Sequence, residues 1–213
     1  MTDSAHPHGS LMNDIYRHQR RIYDVTRKYY LLGRDELIER IDPAPDAHIL
    51  EIACGTGRNL DLIDRRYPGR HLYGIDISSE MLTSARAKLG ERARLAQGDA
   101  CAFNAGALFG HRGFDRVVLS YSLSMIPDWQ GALTEARRHL APGGRLLIVD
   151  FGDQADLPGA FRSLLRAWLA QFHVTPREDL GRALDTLDRF RADRIDHSWL
   201  YRRYAQMAIV EAR

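Results

Sequence analysis

The stretch Glu51-Ile52-Ala53-Cys54-Gly55-Thr56-Gly57 decides the fold. It continues the short apolar run His48–Ala53, which reads as a buried strand, and precedes a helix-forming segment at about Arg58–Arg66. Gly55 and Gly57 let the backbone approach a ligand where a Cβ would collide. The helix N-terminus beyond them offers N–H groups with no partner inside the helix. A second strand, His71–Asp76, ends in a carboxylate at the position that accepts ribose hydroxyls in nucleotide-binding folds. A third, Ala93–Gln97, leads to Asp99, which can accept a hydrogen bond from the exocyclic amine of an adenine.

Working outward, Ser78 is placed to cap a helix reaching about Leu89. Phe114–Ser120 reads as a fourth strand, Asp128–Leu140 as a helix stopped by Ala141-Pro142-Gly143-Gly144, and Arg145–Asp150 as a fifth strand. Strands alternating with helices imply right-handed βαβ units and a parallel sheet. Ahead of this region, residues 11–32 place Leu11, Ile15, Ile22, Thr26 and Tyr29 on one helical face, and a short helix at about Asp35–Ile41 stops before Pro43 and Pro45. Behind it, residues 158–173 and 176–189 read as helices, the second started by Thr175, Pro176 and Glu178 as N-cap, first-turn proline and capping-box acid. Two strand-like stretches, Asp193–Leu200 and Tyr204–Glu211, would close the sheet as an antiparallel hairpin.

Composition bounds the class. The chain has 213 residues, 45% apolar and 27% charged, with a formal net charge of +2, as one globular domain with a modest appendage requires. Its two cysteines, Cys54 and Cys101, form neither a disulfide framework nor a structural zinc site, and Cys54 is expected to be packed rather than reactive. No metal site is expected. The N-terminal residues do not read as a signal peptide, and no apolar run is long enough to span a bilayer. The basic residues are nearly all arginine, and the clusters Arg17/Arg20/Arg21, Arg27/Lys28 and Arg202/Arg203 read either as solvated helix faces or as sites for anionic lipid or nucleic acid. No aromatic-basic motif suggests nucleic acid. A nicotinamide dinucleotide site fits poorly, since Leu60 stands where the third glycine of the fingerprint belongs.

The set EIACGTG (51–57), GIDIS (74–78), QGDA (97–100), LSYSLSMIPDW (119–129) and LAPGGRLLIVD (140–150) resembles the class I S-adenosylmethionine-dependent methyltransferases. The resemblance implies a Rossmann-like α/β fold: a seven-stranded, mostly parallel sheet with an antiparallel last strand and helices on both faces. It divides the chain into an N-terminal helical cap, residues 1–45, and a cofactor-binding domain, residues 46–213. It implies that Glu51, Ala53, Cys54, Gly55, Gly57 and Asn59 hold the methionine part of the cofactor. Asp76, Ile77 and Met81 would hold the ribose region, Gly98, Asp99 and Ala100 the adenine, and Ser120, Tyr121 and Ser122, with Leu123, the floor beneath the methyl. Tyr16, Tyr23, Tyr30 and Arg34 would come from a lid, with Arg34 gripping a carboxylate.

The string YRHQRRIYDVTRKYYLLGRDELI (16–38), with LSYSLSMIPDW and FHVTP (172–176), resembles more narrowly the bacterial betaine-lipid methyltransferases. That implies successive N-methylation of a diacylglyceryl-homoserine head group, with the product cation resting against aromatic rings. Phosphatidylethanolamine, or a soluble or quinone-type acceptor, remains an alternative on the same fold. Tyr23, Asp150 and His173 are the candidate catalytic residues. Phe161, Leu164, Leu165, Trp168, Leu169 and Phe172 form an apolar stripe that either covers the sheet or meets a bilayer. The expected setting is cytoplasmic, on the inner face of an anionic membrane, as a monomer.

Overall fold

A computed structural model describes residues 30–191 and 193–213. Its framework is a seven-stranded sheet in the order β3-β2-β1-β4-β5-β7-β6. The strands are β1 (His48–Ile52), β2 (His71–Asp76), β3 (Ala93–Gln97), β4 (Phe114–Ser120), β5 (Leu140–Phe151), β6 (Arg194–Leu200) and β7 (Ala205–Glu211). β1 to β5 pair in parallel, and β7 runs antiparallel to both β5 and β6. The helices are α1 (Arg34–Ile41), α2 (Arg58–Arg66), α3 (Ser79–Leu89), α4 (Ala105–Phe109), α5 (Trp129–Arg138), α6 (Gly159–Ala170) and α7 (Leu180–Arg191).

The central strands are buried on both faces, so their side chains alternate between two apolar cores. Ile49, Val118, Leu147 and Val149 join α1, α2, α3 and α6 on one face. Leu50, Ile52, Val117, Leu119, Leu146 and Ile148 join α4, α5 and α7 on the other. Glu51 breaks this pattern as a buried carboxylate, 2% exposed, in the middle of an apolar strand. The strand order reverses between β1 and β4, and such a switch point opens a crevice at the carboxyl ends of parallel strands.

Local chemistry explains most boundaries. Ser78 Oγ accepts the Met81 N–H at 3.3 Å and caps α3, as expected. Asp128 Oδ1 accepts the Gly131 N–H at 3.0 Å and starts α5. The short α4 was not foreseen, although Asn104 Oδ1 caps it through Ala107 N at 3.1 Å and Gly110 ends it at φ 71°. The Asn…Gly bracket around Ala105–Phe109 was the available signal.

The expected capping box at Thr175–Glu178 does not form, because tertiary partners claim its residues. Thr175 N donates to Ser124 O at 2.8 Å, Glu178 pairs with Arg166 at 2.6 Å, and α7 starts only at Leu180. The apolar stripe on α6 also divides. Leu165 and Leu169 are buried in the core, whereas Phe161 and Leu164 are exposed. The helix stops at Ala170, and His173 turns the chain in the left-handed region at φ 56°. At the carboxyl end of β5, Tyr201, Arg202 and Arg203 turn the β6–β7 hairpin with φ of 52°, 56° and 61°. Arg203 Nε donates to Asp153 Oδ1 at 2.7 Å, which docks the hairpin tip on the chain leaving β5.

Gly57 joins β1 to α2 at φ 72°, and a Cβ there would meet Leu89 Cδ1 at 2.7 Å and Ala85 Cβ at 3.1 Å. Gly110 has nearly the same φ, 71°, with nothing within 4 Å. We expect Gly110→Ala to cost about 1 kcal/mol from the left-handed backbone alone. Gly57→Ala should cost about 1–3 kcal/mol more, through overpacking against α3. Thermal melts of both variants check this, and equal losses would show that the α2–α3 contact adjusts freely.

Candidate active site

The loop leaving β1 is shaped before any ligand arrives. Ala53 lies in the left-handed region at φ 57°, and Cys54 N donates to Ile75 O at 2.9 Å, which turns the chain across the end of β2. Gly55 N then donates to Asp76 Oδ2 at 2.8 Å, and Ser78 N donates to Asp76 Oδ1 at 2.9 Å. One carboxylate thus ties the loop after β1 to the loop after β2. Asp99 Oδ1 likewise accepts the Cys101 N–H at 2.9 Å beyond β3.

Glu51 gives the site its electrostatic character. Asn59 Nδ2 donates to its Oε1 at 2.7 Å, while Oε2 is buried without a hydrogen-bond partner. Loss of water pushes its carboxyl up to about 8, against the weaker opposing effects of Asn59 and Arg34. A buried acceptor at the wall of a cleft is a place for a donor or a cation.

Two concavities meet along this edge. One, enclosing about 830 Å³ of space open to solvent, is lined by Arg34, Glu51, Ala53, Cys54, Gly55, Asn59, Asp76, Ile77, Met81, Ser120, Tyr121 and Ser122, with Leu31, Thr56, Arg58, Met125 and Ile126. The other is lined by Ala53, Asp76, Ile77, Gly98, Asp99, Ala100, Cys101, Ile126, Pro127 and Asp128. Ala53, Asp76, Ile77 and Ile126 belong to both, so they form one elongated groove with Glu51 towards one end and Asp99 at the other. A narrow apolar cavity, with free room for about one water molecule, abuts it, walled by Tyr30, Leu31, Tyr121, Met125, Phe151, Trp168, Leu169, Phe172 and Val174. Leu31, Tyr121 and Met125 are common to the groove and this cavity.

Most of the expected cofactor residues therefore line the groove, but not all. Gly57 lies behind it, packed against α3. Tyr30 lines the aromatic cavity instead, edge-on to Trp168 at 4.8 Å between ring centroids. Leu123 is fully buried behind the floor. Tyr16 and Tyr23 lie outside the described residues. Cys54 is packed as expected, and burial raises its thiol well above the ordinary value.

Two of the expected catalytic residues do not reach the site. Asp150 is fully buried and lines neither groove nor cavity; its Oδ2 accepts Ser124 N at 3.0 Å and its Oδ1 accepts Phe151 N at 2.7 Å. It anchors the loop after β4 and has no access to a substrate proton. His173 is exposed on the turn after α6, while its neighbours Phe172 and Val174 face the cavity.

Sequence reasoning missed Met125, Ile126 and Pro127, although they stand inside the quoted LSYSLSMIPDW. It also missed what holds them. Arg177 Nε donates to Leu123 O at 2.9 Å and its Nη2 to Ile126 O at 2.8 Å, bracing the wall from behind.

Residues 49–144 match the family described as a methyltransferase domain. Within those residues the chain carries a methyltransferase domain, and its fold is the Rossmann-like one of S-adenosylmethionine-dependent methyltransferases. It is 34% identical to the demethylmenaquinone methyltransferase of Lactococcus lactis over 131 residues, covering 59% of this chain and 50% of that one. It is 32% identical to the ubiquinone/menaquinone biosynthesis C-methyltransferase of Bradyrhizobium diazoefficiens, covering 70% of this chain and 63% of that one. The chain thus spans between half and about two thirds of the length of these relatives. Among solved structures, a TehB-like SAM-dependent methyltransferase from Corynebacterium glutamicum superposes with a TM-score of 0.65 at 18% identity, covering 94% of this chain and 98% of that one. The curated relatives are named for quinones, not betaine lipids, so the narrower likeness drawn from residues 16–38 is not what these comparisons return.

The Glu51 environment makes a pH prediction. Its carboxyl titrates near 4.5 when exposed and near 8 in the folded chain, so the folded state favours the protonated form. That contribution to stability is complete below about pH 4.5 and is lost as the pH rises through 8. We expect Glu51→Gln to gain stability relative to the parent between pH 5 and 8.5. Parallel pH–stability curves for the two proteins would show that Glu51 is solvated.

Proposed function

We propose that this chain transfers methyl groups from S-adenosylmethionine to the polar head of a membrane lipid. One reading of the site is N-methylation of an amino head group, with diacylglyceryl-homoserine carried to its trimethylated betaine form. The observation that supports it is the aromatic cavity beside the cofactor groove: Tyr30, Tyr121, Phe151, Trp168 and Phe172 present rings to one small space. Ring faces attract an alkylated ammonium.

The residues of the groove fit the cofactor. The orphaned Glu51 Oε2 suits the ammonium of its methionine part. Asp76 suits the ribose hydroxyls, and Asp99 with Ala100 suits the adenine. The open space at Gly55, with nothing within 4 Å of a Cβ position, leaves room beside the loop. The cofactor supplies an electrophilic methyl on a sulfonium. The chain supplies alignment: Tyr121 and Met125, common to groove and cavity, stand where the two substrates meet. Holding reactants in line is worth several kcal/mol of barrier. An amine with an ordinary pKa of roughly 8–10 sheds its proton to water before it attacks, helped by desolvation in the apolar cavity.

Association with the inner face of an anionic membrane belongs to the same proposal. Among the described residues, Leu32, Leu108, Phe161, Leu164 and Tyr201 are exposed large hydrophobic side chains, Leu108 standing apart on α4. Leu32 adjoins the cavity residue Leu31, and Phe161 and Leu164 stand on the helix that carries Trp168. No described helix is long and apolar enough to cross a membrane. A monomer completes the reading; of the expected cap over residues 1–45, Leu31 and Arg34 line the groove, while Leu37, Ile38 and Ile41 are built into the core instead.

A second reading is favoured by the relatives, which are named for demethylmenaquinone and ubiquinone/menaquinone methylation. A quinol ring would occupy the same aromatic cavity by stacking, and carbon would be the acceptor.

Both readings are tested together by incubating the chain with S-adenosylmethionine and anionic vesicles carrying diacylglyceryl-homoserine, phosphatidylethanolamine and a demethylmenaquinol, followed by mass spectrometry. The expected result is one to three added methyls on the homoserine lipid. Methylation of the quinol alone would replace the first reading with the second. Methylated ethanolamine would move the head group to the phospholipid. No change in any lipid, with the cofactor still bound, would overturn a lipid acceptor.

A further inference from the structure

Residues 30–33 run between the groove and the aromatic cavity, and two buried phenols hold them there. Tyr204 Oη donates to the Tyr30 carbonyl at 2.8 Å, and Tyr121 Oη donates to the Leu32 carbonyl. The residue between these carbonyls is Leu31, whose side chain lines both spaces. The phenols reach the segment from distant parts of the chain, one after β4 and one at the start of β7. They are joined beneath it by Phe151, edge-on to Tyr121 at 4.8 Å and to Tyr204 at 5.9 Å. Gly33 completes the fit: at φ 84° it starts α1, and a Cβ there would meet Leu200 Cδ1 at 2.9 Å.

Two features set this apart from ordinary packing. Tyr121 holds a left-handed backbone, φ 54°, which costs a side-chain-bearing residue about 1–2 kcal/mol and marks a position fixed by its surroundings. Tyr204 lines neither groove nor cavity, yet its hydroxyl is spent on the carbonyl of a cavity residue. Its ring alone would satisfy the core.

We propose that Tyr204 and Tyr121 are positioning residues that fix Leu31 as the partition between the cofactor groove and the acceptor cavity. Tyr204 acts through the Tyr30 carbonyl and Tyr121 through the Leu32 carbonyl, one on either side of Leu31. The inference rests on the reading of the cavity as the acceptor site, and the test separates the two.

The experiment uses the full chain and its Tyr204→Phe and Tyr121→Phe variants, which keep the rings. Three quantities are read: amide hydrogen exchange over residues 31–34, affinity for S-adenosylhomocysteine by calorimetry, and the KM and kcat for vesicle-borne diacylglyceryl-homoserine. For Tyr204→Phe we expect exchange about tenfold faster, cofactor affinity within about twofold of the parent, and acceptor kcat/KM down about tenfold through KM. For Tyr121→Phe we expect faster exchange together with weaker cofactor binding. Exchange unchanged in both variants would overturn the proposal, as would a lower melting temperature in Tyr204→Phe with exchange and KM unmoved. If the parent methylates no lipid, the acceptor reading falls, while exchange and cofactor affinity still decide whether the phenols hold the partition.

Discussion

The carboxylate of Asp76 is the constraint on which the site depends. It is buried at the end of β2 and holds two backbone N–H groups from different loops, Gly55 at 2.8 Å and Ser78 at 2.9 Å. Hydrogen bonds from N–H to a charged acceptor are among the stronger ones available to a fold. Fixing Ser78 sets its hydroxyl at the start of α3. Fixing Gly55 sets the turn from which Gly57 launches α2. Those two helices pack together across Gly57, where only hydrogen fits. The groove is therefore a consequence of the frame, built where the strand order reverses, and its carboxylates are structural members as well as candidate ligands.

The opposite wall is held in a different way. The loop after β4 is anchored by the buried Tyr121 and Leu123 and is also pinned from the tail of the chain. Arg177 takes two of its carbonyls, Thr175 N takes the Ser124 carbonyl, and Asp150 takes the Ser124 N–H from within β5. Burial pushes the Asp150 carboxyl up, while hydrogen bonds from Ser124 and Phe151 work to keep it ionised. A rigid wall matters for methyl transfer, because the reaction needs a donor and an acceptor in line more than it needs a proton relay.

How much of this was legible in the sequence follows from where the information sits. β1, β2, β4 and β5 were readable because burial on both faces demands continuous apolar runs, and Ser78 was readable because a cap is a local bond. The cofactor half of the site was readable for the same reason: Gly55, Asp76 and Asp99 stand at strand ends, and strand ends can be found by pattern. The acceptor half was not. Its rings come from residues 30, 121, 151, 168 and 172, which only the tertiary fold brings together. Thr175, Pro176 and Glu178 carry a good helix-start pattern, yet tertiary partners outbid it. Asp150 and His173 were attractive by residue type alone, and burial in one case and exposure in the other removed them. Gly57 has the right motif position, but its small size serves helix packing.

The central claim is that one groove, running from Glu51 past Asp76 to Asp99, holds the S-adenosyl cofactor. The most direct measurement is a crystal structure of the chain grown with S-adenosylhomocysteine. The account predicts the amino-acid portion beside Glu51, the ribose on Asp76 and the adenine between Asp99 and the Ile126–Pro127 wall. Ligand density elsewhere on the molecule, or in the groove but reversed with the adenine against Glu51, would contradict it.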